Sequence, residues 1–109
     1  MEKQRACNLD NWKALKNQPE PVKGLRKIKA RNMVKAMQEG EHVSGNNRCV
    51  YTTDKFSFYY RGTLIYEWYP HLQAFMLVDA GPYEQTMATQ NQRREIITAI
   101  ENFCEVYNI

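Results

Sequence analysis

The spacing of apolar residues changes twice along this chain, and those two changes leave few folds open. Ala30, Met33, Val34 and Met37 recur at i, i+3, i+4 and i+7, which is one face of a helix. Past the turn cluster Ser44-Gly45-Asn46-Asn47 the spacing becomes that of a β-strand. It turns helical again near the C-terminus, where Ile96, Ile97, Ile100, Phe103, Cys104 and Tyr107 share one stripe. A block of strands between two helices predicts an α+β domain: a basic N-terminal helix, a four- to five-stranded antiparallel β-meander, and a C-terminal helix packed on one face of the sheet.

Five strands are expected, at residues 49–53, 56–60, 63–69, 73–79 and 83–87. Short connections at Asp54-Lys55, Arg61-Gly62, Pro70-His71 and Ala80-Gly81-Pro82 make neighbours antiparallel. Strict alternation places Phe56, Phe58 and Tyr60 on one face and Ser57 and Tyr59 on the other. It likewise separates Leu64, Tyr66 and Trp68 from Ile65, Glu67 and Tyr69. Gly40 is expected to end the first helix, and Thr89 with Gln92 to open the second as a capping box.

At 109 residues the chain has room for one core. Residues 1–20 are read as an arm or short helix, capped by Asp10 or Asn11, with Trp12 and Leu15 on one side and Pro19 and Pro21 as its stop. Residues 21–109 form the single domain. The N-terminus lacks the apolar run of a signal peptide, and no segment has the length of a membrane span, so the cytoplasm is the expected location, with no membrane partner. Cys7, Cys49 and Cys104 are odd in number and far apart, which predicts reduced thiols rather than a disulfide framework or a metal knuckle.

Charge is unevenly divided. Up to Val50 the chain carries eleven Lys/Arg against five acids, a net +6, while the remainder is −3, giving +3 in all. Lys23, Arg26, Lys27, Lys29, Arg31 and Lys35 fall close together, and such a helix face can contact several phosphates at once or lie solvated in water. Two or three exposed tyrosines, with Tyr59 and Tyr69 first among them and Arg61 at the intervening turn, would make an anchor for a partner or for bases. Arg93 and Arg94 open the last helix at the end where its dipole disfavours cations, which marks them as candidates for an anion or partner contact.

Catalytic signals are absent from the sequence. His42 and His71 have no ligand partners at metal spacing, and no GxSxG, HExxH, P-loop or GxGxxG is present. Glu67 and Asp79, on adjacent expected strands, could approach one another and hold Mg²⁺. The expectation is a non-enzyme with no cofactor, no metal and no catalytic residue.

The order helix, antiparallel strands, helix is similar to double-stranded RNA-binding domains, although the lysine cluster that opens their second helix is replaced here by Thr89 to Arg94. The run Phe56-Ser57-Phe58-Tyr59-Tyr60-Arg61-Gly62 lacks the RNP1 order of RNA-recognition motifs. Over residues 56–97 the chain resembles a small domain of unknown function encoded by phages and related mobile elements. The likeness is carried by Phe58-Tyr59-Tyr60-Arg61-Gly62-Thr63-Leu64-Ile65 and by Tyr83-Glu84-Gln85-Thr86-Met87-Ala88-Thr89 with a helix-opening arginine.

That resemblance implies an accessory protein that binds a host protein or nucleoprotein complex, anti-CRISPR inhibitors of CRISPR nucleases being one class. The alternative is an accessory protein that grips the phosphate backbone of nucleic acid without a protein target, and an exposed sheet face or edge could make a homodimer.

Overall fold

The computed structural model describes residues 24–52, 55–70, 72 and 74–107. The expected arm at 1–20, and with it Lys23, Cys7 and His71, lie outside the described residues. Two helices, α1 (Ile28–Glu39) and α2 (Met87–Tyr107), cover one face of a five-stranded sheet. Its strands are β1 (Glu41–Ser44), β2 (Asn47–Thr52), β3 (Lys55–Tyr60), β4 (Thr63–Tyr69) and β5 (Ala74–Leu77). They run antiparallel in the order β1-β2-β3-β4-β5, a pure meander. No helix among the described residues is long and apolar enough to cross a membrane.

The helical stripes are the ones the periodicity marks. Ala30, Met33, Val34 and Met37 are buried on α1, which lies over β1 and β2, while Ile96, Ile100, Phe103 and Tyr107 are buried on α2, which lies over β3 and β4. Phe56, Trp68 and Phe103 form the centre of the core. Phe56 and Trp68 stack at 5.7 Å between centroids, and Phe103 meets both edge-on at 5.8 and 5.9 Å. Gly40 ends α1 as expected: at φ 92° its N–H reaches back to the Ala36 carbonyl at 2.7 Å.

Four expectations change. The sheet begins before the Ser44–Asn47 turn: Glu-His-Val-Ser has one apolar residue, and it becomes a strand because the turn folds it antiparallel onto β2, in register Val43 with Arg48. Residues 83–87 are not a strand. Pro82 sits in a 3-10 turn, Gly81–Tyr83, and Thr86 caps α2, its hydroxyl accepting the Thr89 N–H at 3.3 Å, so the helix starts three residues earlier than the Thr89 box implies.

Alternation also fails in β4. Phe58 pairs with Tyr66 and Tyr59 with Leu64, so Ile65 is an extra residue, and both Ile65 and Tyr66 turn inward to 1% and 5% exposure. Ile97 stands at the margin of the α2 stripe, 38% exposed, and Ala99 is buried instead.

Candidate functional site

An open groove of about 610 Å³ lies between the start of α1 and the middle of α2. Arg26, Lys27 and Lys29 line it from the α1 side and Arg94 from the α2 side; its acid is Glu95, and Asn47 and Ser44 of the first hairpin form the polar rim. Local chemistry brings these groups together. Leu25 is buried and anchors the chain, and the two residues after it, of which Lys27 is extended, present their N–H groups to Asn102 of α2. Asn102 is 1% exposed; its Oδ1 accepts the Arg26 N–H at 3.0 Å and the Lys27 N–H at 3.1 Å, and its amide donates to the Gly24 carbonyl at 3.4 Å. One buried asparagine of α2 thereby ties down the segment that leads into α1 and fixes the groove wall.

The cations are only partly neutralised. Arg26 meets Glu105 at 3.1 Å in an exposed pair, and Lys29 meets Glu95 at 3.5 Å. Lys27 has no carboxylate partner among the described residues, and Arg94 donates to the Asn91 side-chain oxygen at 3.0 Å, a neutral group. The first turn of α1 contains no acid, so the positive end of its dipole adds to the same field. The arrangement suits an extended anion.

The remaining predicted site residues are dispersed. Arg31 is exposed, its Nε donating to the Leu25 carbonyl at 2.8 Å, and Lys35 is half-buried; neither lines the groove. Tyr59 and Tyr69 share the sheet face away from the helices but lie toward opposite ends of it, opposite Leu64 and near Lys55. A cation already covers each ring: Arg48 is 5.1 Å from the Tyr59 centroid, and Lys55 is 5.7 Å from that of Tyr69. Arg61 stacks on Tyr60 at 5.3 Å instead of joining either tyrosine. With φ 51° it and Gly62 at 84° make the type I′ turn of a tight hairpin, beside a smaller cleft of about 210 Å³. The Tyr59, Arg61, Tyr69 anchor is therefore not assembled.

Arg93 requires a correction. It is 4% exposed, not a surface contact. Its Nε donates to the Ile65 carbonyl at 3.0 Å, and its two terminal nitrogens donate to the Val78 carbonyl and to both oxygens of Glu84. The guanidinium thus takes up the carbonyl of the β4 bulge residue, beside the Val78 N–H that reaches the same oxygen at 3.3 Å. This hydrogen bonding, with a further N–H from Ala80, holds the Glu84 carboxyl well down, to about 2. The sequence carried a signal for it: Thr89 and Arg93 extend the stripe of Ile96, Ile100, Phe103 and Tyr107 back by two steps of helical spacing.

Glu67 and Asp79 do not meet. Glu67 lies opposite Met76 and binds Lys55 at 3.1 Å and the Tyr69 hydroxyl at 3.2 Å, while Asp79 accepts the Gly81 N–H at 2.8 Å in its own turn. Among the described residues no cluster of His, Cys, Asp or Glu is placed to hold a metal. Cys49 is buried, which pushes its thiol up and leaves it a core group. No protein-family model, curated protein or solved structure matches the chain.

Proposed function

We propose that this protein is a non-enzymatic accessory protein that binds nucleic acid along its phosphate backbone, in the groove between α1 and α2. The observation that carries the reading is the convergence of Arg26, Lys27 and Lys29 with Arg94, from segments far apart in sequence, on one open surface. Side chains of this type contact phosphates and supply affinity without reading bases, so the preference among sequences is small.

A second reading is favoured by the phage-domain resemblance over residues 56–97: the nucleic acid is met inside a host nucleoprotein complex, a CRISPR nuclease being one such target, in the bacterial cytoplasm. In that case the outer sheet face, with its Arg48–Tyr59 and Lys55–Tyr69 pairs, faces the protein component.

Fluorescence anisotropy with labelled single- and double-stranded oligonucleotides tests the first reading. With roughly four phosphates neutralised, affinity should fall about 100-fold between 50 and 200 mM salt. Lys27→Glu/Arg94→Glu, both at exposed positions, should lose at least about tenfold at the lower salt with unchanged circular dichroism. Equal affinity of wild type and variant would remove the groove from the account. No binding to either oligonucleotide, together with retention of a nuclease-resistant host protein, would favour the second reading.

A further inference from the structure

The two edges of the sheet differ. The β1 edge carries Glu41, held by Arg48 at 3.1 and 3.2 Å, and its neighbour His42, charged and polar groups that discourage pairing with another strand. The β5 edge carries Phe75, Met76 and Leu77 in succession, 56%, 52% and 61% exposed, with Leu72 just before them at 73%. No Lys, Arg, Asp, Glu or Pro interrupts residues 74–77. α2 packs over β3 and β4, and the helix-side residues of β5, Phe75 and Leu77, lie beyond its cover.

The hydrogen-bonding direction is fixed as well. The Val78 N–H points into the sheet toward the Ile65 carbonyl, so the alternate backbone groups, those of Phe75 and Leu77, point outward from the edge.

We propose that β5 pairs with β5 of a second copy of this chain, antiparallel about a two-fold axis at Met76. The strand is self-complementary in that arrangement. Phe75 of one copy exchanges hydrogen bonds with Leu77 of the other, and Leu77 with Phe75, while the two Met76 residues form the intervening non-hydrogen-bonded pair. Apolar side chains meet apolar side chains on both faces, and with no charge on the strand the pairing brings no like charges together.

The surface removed is that of one four-residue strand edge on each copy, small for a specific interface, which predicts a weak dimer that dissociates in the micromolar range or above. The grooves, built over β1 and β2, stand at the two far ends of the joined sheet. Two phosphate-binding surfaces on one particle would raise the avidity for a long nucleic acid, provided it spans both. The pairing itself does not depend on nucleic acid.

Sedimentation velocity of the full chain across a micromolar to submillimolar range, in reducing buffer and without nucleic acid, reads the association directly. The expected result is a monomer–dimer equilibrium that shifts at least about 100-fold toward monomer in Met76→Lys, which sets two like charges against each other at the axis. Phe75→Ser, which adds no charge, should weaken it while the circular dichroism stays that of the folded protein, which keeps the test valid if the lysine variant folds poorly. Met76→Cys in a Cys7→Ser/Cys104→Ser background should form a disulfide-linked dimer on mild oxidation, since opposed Cα atoms across such a pair stand within disulfide range. A monomer at every concentration, as when another segment of the chain occupies the edge, or a dimer indifferent to these substitutions, would overturn the proposal.

Discussion

Replacing Arg93 by alanine is expected to lower the stability of the fold by about 3–5 kcal/mol, a large share of the roughly 5–15 kcal/mol that separates a domain of this kind from its unfolded chain. The loss has a specific origin. Arg93 is 4% exposed and bonds to the Ile65 carbonyl, the Val78 carbonyl and the Glu84 carboxylate, so its removal takes a charged donor from the acceptors of three segments at once and leaves the Ile65 carbonyl with only the Val78 N–H and Glu84 without its counter-charge.

Arg93→Lys should recover only part of that stability, because a single ammonium cannot present the fork that reaches all three. Urea unfolding gives the comparison, with the midpoint shifting and the slope unchanged if the native state stays compact.

The same contact makes a prediction about acid. The Glu84 carboxyl is held to about 2 in the folded protein, chiefly by its hydrogen bond from Arg93, against an ordinary value of 4.5. A group whose folded value is depressed contributes stability that is full above its unfolded value and is lost as the pH falls toward the folded one. The Glu84 contribution should therefore be present above pH 4.5 and disappear between there and pH 2. In Glu84→Gln that part of the acid limb should flatten.

The second large effect is expected at Asn102. Asn102→Leu removes the acceptor for the Arg26 and Lys27 N–H groups and should cost about 1–3 kcal/mol, the range for partly buried donors left without a partner, because the residue is 1% exposed and those amides are partly screened from water. It should also weaken oligonucleotide binding several-fold, since the wall bearing Arg26 and Lys27 loses its attachment to α2. Asn102→Asp tests the same contacts by a different route. The carboxylate can still accept both N–H groups, but it loses the donor to the Gly24 carbonyl and places a charge at a 1% exposed position, so stability stays below wild type, while a negative charge beneath the groove keeps binding weak. Thermal unfolding and anisotropy on the same three proteins check both halves.

What could be read in the sequence, and what could not, divides along physical lines. Spacing reports burial, so the stripes Ala30 to Met37 and Ile96 to Tyr107 placed both helices and the face each one buries. It reports nothing about β1, whose Val43 stays 58% exposed and whose strand exists only through pairing with β2. Nor does it reveal the extra residue at Ile65, since a bulge breaks the alternation by which strands are recognised.

At the candidate site, composition pointed to cationic side chains and could not choose among individuals. Of the adjacent Arg93 and Arg94, one falls on the buried stripe and one on the groove; Arg31 and Lys35 belong to the same basic run as Lys27 and face elsewhere. Asn102, which holds the groove wall, attracted no notice because its importance comes from contacts with Gly24, Arg26 and Lys27, more than seventy residues away.

The central claim is that phosphate backbone lies between α1 and α2. Amide chemical-shift mapping of the ¹⁵N-labelled protein during titration with a short unlabelled oligonucleotide tests it most directly. The account predicts that shifts concentrate at Arg26, Lys27, Lys29, Asn32, Asn47 and Arg94 through Thr98, and reverse on raising the salt. Shifts centred on Tyr59, Lys55 and Tyr69 of the outer sheet face, with the groove amides unmoved, would contradict it.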